Sequence, residues 1–376
     1  MPTKKPQSRI VDHPNTSAPL RVWARLLWGQ DGVRVAPQHR GRVRRILLGS
    51  ALMVPLRLIE KMRYGRAVAR TKIAHPPIFI IGHARSGTTH LHYLLTRDPQ
   101  FAIVSLLQST VPTFFLIGRG WIKRFMAKQL KPKRPQDDVK LAMDLPNEEE
   151  FAIANSSELS SVHFLTFPSR AIEYFEKYVF MRGLTDRQQA RWDAVITDII
   201  KKATLAGDGK QLVLKSPSNT GRISHLLRLF PNAKFIHIAR NPCDVYYSTN
   251  HTFRKMFELF LLEEHLGDFS DFVITKYKAL MEQYLKDRAL IPEGNLAEVK
   301  YEDLISDPLG ELERIYAALG LSGWENGGKQ AVVEYLSTLA DYQKNTFEPD
   351  PTAMERIARE WRFAFEEWNY DLTVKL

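Results

Sequence analysis

The strongest constraint on the fold lies between residues 76 and 97, where the sequence predicts a strand, a loop and a helix in succession. The run Ile78-Phe79-Ile80-Ile81 is short and apolar throughout, which is typical of a strand buried on both faces of a parallel sheet. The loop that follows begins at Gly82 and ends at Gly87, and a helical pattern continues to Arg97. Because glycines let the backbone approach an anion and a helix start offers free N–H groups, this segment predicts an α/β fold with a phosphate-binding loop.

Three further predicted strands extend this pattern toward the carboxyl terminus. They span residues 212–214, 235–238 and 296–301, with helical patterns between them. Strands that alternate with helices predict a three-layer α/β fold with a central parallel sheet and helical additions at both termini. We assign residues 76–376 to this domain and residues 21–75 to a basic helical segment. Residues 1–20 hold four prolines and few large apolar side chains, so they are interpreted as a mobile tail.

The positive charge of the chain is concentrated at its amino terminus. The sequence has 53 lysines and arginines against 42 acids, a formal net charge of +11. Residues 1–75 hold 16 of these cations and three acids, so the rest of the chain is close to neutral. This asymmetry indicates contact with an anionic partner. The single cysteine, Cys243, excludes an intramolecular disulfide and a four-cysteine zinc site.

The basic segment allows two interpretations. Its most apolar run, residues 46–59, is shorter than the roughly 20 residues that a membrane-spanning helix needs. With its flanking arginines, this run suits a helix lying in the interface of an anionic membrane, and it also suits an amphipathic helix packed on the body of the protein. Nucleic acid is a less favoured partner because no nucleic-acid-binding motif is present. The absence of an apolar signal segment favours a cytoplasmic location, with peripheral contact at the membrane as an option.

The loop carries residue types that bind phosphate groups. In order they are Arg85, Ser86, Gly87, Thr88 and Thr89. The guanidinium of Arg85 offers a rigid fork for phosphate oxygens, and the hydroxyl groups add donors. A P-loop nucleotide kinase has lysine at the position of Thr88, to reach the β- and γ-phosphates. Because threonine stands there instead, a P-loop-like kinase is the alternative hypothesis rather than the leading one.

Two segments resemble one known family. Residues 77–89 are similar to the 5′-phosphosulfate loop of sulfotransferases that use 3′-phosphoadenosine 5′-phosphosulfate (PAPS), with Arg-Ser-Gly-Thr-Thr as in the bacterial-type branch. Residues 235–248 resemble the 3′-phosphate segment of the family, in which a strand leads through Arg-Asn-Pro into a helix. The resemblance covers residues 76–320 and implies a P-loop-like fold. It also implies PAPS as co-substrate, with Arg240 and Ser248 as contacts of the 3′-phosphate.

The resemblance further implies which residues act in sulfuryl transfer. Arg85 stands in the place of a family lysine, and Lys215 belongs to a segment similar to a family landmark. Both are expected to stabilise the departing phosphate, and no metal is predicted. The usual catalytic base of the best-known members, the histidine of Lys-Thr-His, is replaced here by Pro217. Bacterial-type members often have a histidine two residues later, where this chain has Asn219.

A carboxylate is therefore the predicted base. Glu148, followed by Glu149, is favoured because residues 146–151 resemble an acidic element of the bacterial-type branch. The alternative is a solvated helix start whose acids complement the helix dipole. His163 and His83 are weaker candidates, since a lone histidine is more often structural or solvated.

Two parts of the site are not determined by these motifs. The late Arg-Lys-Gly contact of the family with the 3′-phosphate is not visible, and its candidate replacements are Lys344, Arg356, Arg359 and Arg362. The aromatic residues between Phe101 and Phe167 either line an apolar acceptor pocket or belong to the core. The leading function is sulfuryl transfer to a hydroxyl or amine of a small, lipid-like acceptor, with a glycan next. A non-catalytic, membrane-associated nucleotide-binding module is a further alternative.

Overall fold

A computed structural model of the chain describes residues 13–29, 33–130, 141–264, 267–338 and 350–371. The strands in these ranges are β1 (Ile78–Ile81), β2 (Phe101–Ile103), β3 (Gln211–Lys215), β4 (Lys234–Ala239) and β5 (Leu296–Lys300). The helices are α1 (Leu20–Trp28), α2 (Arg40–Leu52), α3 (Val54–Arg70), α4 (Thr88–Leu95), α5 (Leu106–Thr110), α6 (Trp121–Ala127), α7 (Glu149–Ala154), α8 (Ala171–Tyr178), α9 (Asp186–Ala206), α10 (Ile223–Leu229), α11 (Pro242–Phe260), α12 (Ser270–Asp287), α13 (Tyr301–Ser306), α14 (Pro308–Ala318), α15 (Lys329–Ser337), α16 (Pro351–Glu360) and α17 (Arg362–Glu367). None of the helices described here combines the length and the hydropathy that crossing a membrane requires.

The strands form one parallel sheet in the order β2-β3-β1-β4-β5. Strand β1 lies at the centre, and all four of its residues are buried, in agreement with its apolar run. The order brings the carboxyl ends of β3, β1 and β4 side by side. In open α/β sheets, ligands bind at this edge, near the strand where the order reverses. The predicted α/β fold with a central parallel sheet is confirmed.

The sheet separates two hydrophobic cores. Phe79 and Ile81 of β1 belong to the larger core, which also contains buried residues of α1, α9, α11 and α12. Ile78 and Ile80 belong to a second core with residues of α4 and α14. This alternation follows from the two-residue period of a strand and gives the three layers that were predicted. A third, smaller cluster joins α3, α5 and α6.

Strand β2 lies outside the predicted strands. It has only three residues and begins at Phe101, two residues after Pro99 of the Asp98-Pro99 pair that ends the preceding helical pattern. Phe101 pairs with Gln211 of β3, so β2 forms one edge of the sheet. A run this short carries no periodicity that distinguishes a strand from a loop.

Residues 13–19 do not behave as the predicted mobile tail, because they pack on the body of the protein. The ring of His13 lies 5.4 Å from the rings of both Trp23 and Phe260, and its Nε2 is 2.8 Å from Phe260 O. Trp23 in turn donates from Nε1 to Asn15 O at 3.1 Å. These buried contacts hold the chain ahead of α1, so the tail prediction is wrong for this stretch. Residues 1–12 lie outside the described residues.

Candidate active site

The loop after β1 has a backbone that favours glycine at two positions. Gly82 has a φ of 137° and Gly87 a φ of 95°. A Cβ at Gly82 would lie 2.5 Å from Ile238 O, and a Cβ at Gly87 would lie 2.3 Å from Tyr301 Cδ2. Both glycines are therefore required by the available space as well as by conformation. Arg85 also has a positive φ, 73°, a conformation that is costly outside glycine and recurs at functional sites.

Three residues predicted to bind the nucleotide lie together at the carboxyl edge of the sheet. Arg85 donates from Nε to Ser248 Oγ at 2.9 Å. Arg240, which follows β4, donates from Nη1 to Arg85 O at 3.1 Å and from Nη2 to Asp244 Oδ2 at 2.9 Å. The guanidinium of Arg240 lies 4.5 Å from the centre of the Tyr301 ring. Its Nε is buried and has no hydrogen-bond partner among the described residues, which suits the site to an anionic ligand.

The start of α11 positions Ser248. Asn241 Oδ1 accepts a hydrogen bond from Cys243 N at 3.0 Å, and Pro242 occupies the first turn, where its missing N–H has no cost. The backbone N–H of Asn241 donates to Glu302 Oε1 at 3.2 Å. Glu302 Oε2 accepts from the Tyr370 hydroxyl at 2.7 Å, so the C-terminal segment supports this loop.

Lys215 connects the loop to the acidic cluster. It ends β3, its side chain is almost completely buried, and its Nζ donates to Glu148 Oε1 at 2.5 Å and to Thr89 Oγ1 at 3.3 Å. Glu148 precedes α7 and keeps part of its carboxylate exposed. The arrangement places the carboxylate of Glu148, the favoured candidate base, beside the ammonium group of Lys215 and the hydroxyl of Thr89.

The other two acids of the cluster are buried behind this centre. Glu149 accepts hydrogen bonds from Lys215 N at 3.0 Å and from Asn219 Nδ2, and burial raises the pKa of its carboxyl group to about 7. Glu150 pairs with Arg222 at 2.6 Å and accepts hydrogen bonds from neighbouring serines. Glu149 therefore helps to hold the segment after β3, whereas Glu148 faces the cavity described below.

The two candidate histidines differ in their position. His83 lies at the cavity, but its Nδ1 is 2.7 Å from Ala84 O and burial lowers the pKa of its ring to about 4. His163 is buried with Nε2 2.9 Å from Ser157 O, and burial lowers the pKa of its ring as well. Both environments favour a neutral, structurally held ring. Within the described ranges, no group of three or more His, Cys, Asp or Glu side chains is arranged to hold a metal ion.

One cavity of about 380 Å³ connects these residues to an apolar wall. Its first part, here called the loop end, is lined by Arg85, Thr88, Thr89 and Glu148. Its second part, here called the apolar end, is lined by Phe151, Phe164, Phe175, Phe253, Met256 and Phe260. An apolar cavity with a few convergent polar groups is the usual form of a small-molecule site.

The apolar end only partly matches the aromatic residues that the sequence suggested. Phe151 and Phe164 line the cavity, whereas Phe114, Phe115 and Phe167 are core residues and Trp121 is exposed. Much of the wall comes instead from α8 and α11. On α11, residues 253, 256 and 260 recur at helical spacing, a signal that was present in the sequence within the helix that the Arg-Asn-Pro segment begins.

The candidates for a late 3′-phosphate contact have other partners in the structure. Arg356 pairs with Asp271 and, at 2.8 Å, with Glu360. Arg362 pairs with Glu366 at 2.7 Å, and Arg359 is largely exposed. Lys344 lies outside the described residues. The late contact stays a prediction.

Comparison with known proteins identifies the family. Residues 76–326, well over half of the chain, match the model of the sulfotransferase family. This chain belongs to the sulfotransferase family. The omega-hydroxy-beta-dihydromenaquinone-9 sulfotransferase Stf3 of Mycobacterium bovis is 32% identical to it over 317 residues, which cover 84% of this chain and 81% of the relative. The protein of the same name from Mycobacterium tuberculosis (strain CDC 1551 / Oshkosh) gives the same values. The predicted family is confirmed.

Solved structures of other sulfotransferases share the fold. Sulfotransferase STF9 from Mycobacterium avium superimposes with a TM-score of 0.68 at 17% sequence identity, covering 90% of this chain and 87% of that one. For STF1 from Mycobacterium tuberculosis H37Rv the TM-score is 0.59 at 18% identity, with 94% and 93% covered. At these identities the likeness concerns the fold, and it agrees with the predicted P-loop-like architecture.

Proposed function

We propose that this sulfotransferase moves a sulfuryl group from PAPS to a hydroxyl or amine of a lipid-like acceptor. The observation that carries the proposal is a cavity that joins the loop end to the apolar end. The loop end suits an anionic nucleotide because Arg85, which lines it, is hydrogen-bonded to Arg240 and Ser248 beside a loop with two close-packed glycines. The apolar end suits a hydrocarbon because aromatic and aliphatic side chains line it.

In the proposed reaction, the acceptor oxygen attacks sulfur while the bond from sulfur to the bridging phosphate oxygen breaks. The proton of the acceptor hydroxyl passes to the carboxylate of Glu148. The electron pair of the broken bond leaves with 3′,5′-bisphosphoadenosine. Arg85 and Lys215 oppose the negative charge that grows on the departing phosphate, and the hydrogen bond from Lys215 to Thr89 holds the ammonium group beside the loop. No metal takes part in this scheme.

The acceptor is proposed from the apolar end and from the named relative. The relatives are named for an omega-hydroxy-beta-dihydromenaquinone-9, a quinone whose long apolar chain carries a hydroxyl group. A cavity of about 380 Å³ lies near the lower limit of the roughly 300–1,000 Å³ typical of small-molecule sites. It therefore suits the hydroxyl-bearing end of a long acceptor better than a whole molecule of that size. A lipid-like acceptor agrees with the proposed cytoplasmic location with peripheral contact at the membrane.

The test is a transfer assay with sulfur-labelled PAPS. The full chain is mixed with a hydroxylated dihydromenaquinone in detergent micelles, and in parallel with lipid and polar extracts, and the products are identified by mass. We expect a labelled sulfate ester of an apolar alcohol, with one 3′,5′-bisphosphoadenosine formed per ester. The Arg240→Ala variant serves as the control and should form little product. Label that appears only in the polar extract would contradict the lipid-like acceptor.

The same assay, run in parallel with phosphate-labelled ATP and magnesium, separates the two alternatives. A nucleotide kinase would transfer phosphate from ATP in the presence of magnesium, although Thr88 stands where such enzymes have lysine. A non-catalytic module would bind 3′,5′-bisphosphoadenosine but label no acceptor in any extract. Transfer from PAPS that persists after chelation of divalent metal would support the scheme above.

A further inference from the structure

The protein exposes its large hydrophobic side chains unevenly. Among the described residues, fourteen large hydrophobic side chains are exposed, and ten of them lie in residues 20–62 or in α6. Those of α2 and α3 are Leu48, Leu52, Val54, Leu58, Ile59 and Met62. Helix α6 adds Trp121 and Phe125, which are four residues apart and so lie on one side of the helix. The exposed side chains of α2, α3 and α6 are called the outer face below.

The charged side chains of this face have predominantly one sign. Residues 40–70 contain nine lysines and arginines and a single acid, Glu60. Glu60 is 2% exposed and pairs with Lys202 at 2.9 Å, so no carboxylate of this stretch reaches the surface. Arg57 turns inward and donates to Ser50 O and Ser17 O, and Arg42 donates to backbone carbonyls at the end of α11. The remaining seven cations are exposed, between the apolar side chains.

The outer face lies beside the proposed acceptor cavity. The inner sides of α3 and α6 pack on one cluster, through Tyr64 and Ile122 among others, and this cluster also includes Leu106 of α5. Leu106 and Thr110 line the cavity. Ser17 bonds to Thr110 O through its hydroxyl and accepts from Arg57 through its carbonyl group. The cluster that carries α3 and α6 therefore also contributes to the cavity wall.

We propose that the outer face docks on the surface of a bilayer that contains anionic lipid. Exposed aliphatic and aromatic side chains can enter the acyl boundary, while lysines and arginines beside them pair with anionic headgroups. On α3, Leu58, Met62 and Arg66 follow at four-residue intervals and present both kinds of side chain along one stripe.

Two other occupants fit the face less well. In a symmetric dimer each face would meet itself, so its cations would lie against cations. A nucleic acid would satisfy the cations but would leave the aliphatic side chains in water, because phosphate and sugar contacts dominate non-specific binding. A bilayer surface satisfies both kinds of side chain. If the proposed function holds, docking would bring a membrane-dissolved acceptor to the cavity, but the docking itself does not depend on the reaction.

Flotation of the full chain with vesicles tests the proposal. One set contains phosphatidylcholine and phosphatidylglycerol in a ratio of about two to one, and the other contains phosphatidylcholine alone. We expect the protein to float with the anionic set and to dissociate partly as salt is added. The double change Lys61→Glu and Met62→Ser should lower the partition coefficient at least about tenfold.

A matched variant controls for the chemistry of these changes. Lys286→Glu with Leu290→Ser makes the same charge reversal and a similar apolar-to-serine replacement at exposed positions around the end of α12, and it should keep the wild-type partition. Affinity for 3′,5′-bisphosphoadenosine, measured on every sample, should be unaffected by either double change. If the wild-type protein bound anionic vesicles but did not bind 3′,5′-bisphosphoadenosine, the proposed function would be refuted and the docking proposal would still hold.

Three results would overturn the docking proposal. The first is wild-type protein that does not float with anionic vesicles. The second is an equal loss in the Lys286→Glu, Leu290→Ser control. The third is a dimer, detected by sedimentation, that the Lys61→Glu, Met62→Ser variant converts to a monomer without any vesicle binding, which would assign the face to a second copy of the chain.

Discussion

The two ends of the cavity are built in different ways. At the loop end, Arg85, Arg240 and Ser248 are joined by hydrogen bonds, and the backbone beside them is fixed by glycines with positive φ. At the apolar end, the wall is held by the packing of rings from separate segments, such as Phe164 and Phe253 at 5.3 Å. Binding at the loop end therefore depends on the direction of hydrogen bonds and on charge. Binding at the apolar end depends on the buried area and on the volume of the cavity.

This difference indicates what each end contributes. Charge-assisted hydrogen bonds require fixed geometry, so the loop end should recognise one kind of anion and lose affinity sharply when one group is removed. An apolar wall tolerates changes of shape at a cost that follows the buried area. We therefore expect the loop end to select which sulfuryl donor binds. The apolar end should bind several acceptors, with affinities that depend on the apolar area each one buries. Glu148 lines the loop end and pairs with the buried Lys215, and this pair is called the junction below.

The largest effect is expected at this junction. Glu148→Gln keeps the shape of the side chain but cannot accept the acceptor proton, so kcat should fall by about 10²–10⁴-fold. Affinity for 3′,5′-bisphosphoadenosine should survive, because Arg85 and Arg240 are unchanged. Steady-state kinetics with an identified acceptor and calorimetry with the nucleotide measure the two quantities.

The control for this change is Asp144→Asn. Asp144 lies four residues before Glu148, is exposed, and pairs with Lys123 at 2.6 Å outside the cavity lining. The Asp144→Asn change removes one negative charge, as Glu148→Gln does, and should leave kcat near the wild-type value. Near-normal turnover of Glu148→Gln would remove Glu148 as the base and direct attention to His83, which also lines the cavity.

The second-largest effect is expected on nucleotide affinity, when an arginine of the loop end is removed. Arg85→Ala and Arg240→Ala each remove a charge-assisted contact, so affinity for 3′,5′-bisphosphoadenosine should fall by roughly 10- to 100-fold. Isothermal calorimetry measures the change directly. Arg254→Ala removes an exposed arginine from the same helix as Ser248 and should bind like wild type. Unchanged affinity in a folded Arg240→Ala protein would refute its assignment to the nucleotide.

The loop end was largely predictable because its residues belong to two continuous segments. Each segment is a strand followed by a turn and a helix, so the sequence itself places Arg85 and Arg240 at strand ends. Parallel pairing of β1 with β4 then brings the two arginines together. The central strands were predictable for a related reason, since burial on both faces leaves a continuous apolar run.

The apolar end and the chain termini were less predictable because they depend on long-range packing. Phe164, Phe175 and Phe253 come from three separate segments and meet only in the folded chain. The different roles of the consecutive acids Glu148 and Glu149 depend on the direction in which α7 starts. That direction places the carboxylate of Glu148 against Lys215 and buries the carboxylate of Glu149. Residues 13–19 appear polar and proline-rich, yet His13 is buried against Phe260.

The third prediction concerns the acid buried behind the junction. Burial raises the pKa of Glu149 from the usual 4.5 to about 7. Between these values the folded protein binds the proton more tightly than the unfolded chain, so the contribution to stability is full below about pH 4.5 and is lost as the pH rises toward 7. Glu149→Gln cannot titrate and should remove up to about 1.4 kcal/mol per pH unit from the slope of the unfolding free energy.

Urea unfolding of both proteins at about pH 5 and about pH 6.5 measures this slope. Titration of the histidines affects both proteins alike and cancels in the difference between them. The variant loses one acceptor for Lys215 N or Asn219 Nδ2, so it should be less stable throughout, and the diagnostic quantity is the slope. Equal slopes would show that Glu149 stays ionised in the folded protein across this range.

The smallest effect is expected at the apolar end. Phe253 is half-buried, lines the cavity and packs on Phe164, so Phe253→Ala removes apolar area from the wall without touching the loop end. KM for an apolar acceptor should rise about five- to tenfold, with little change in kcat or in nucleotide affinity. Ile305→Ala, a similar truncation at an exposed site, should leave all three unchanged. A fall in kcat as large as that of Glu148→Gln would mean that the wall also orients the reacting group, and the two ends would then not be separable in the way proposed.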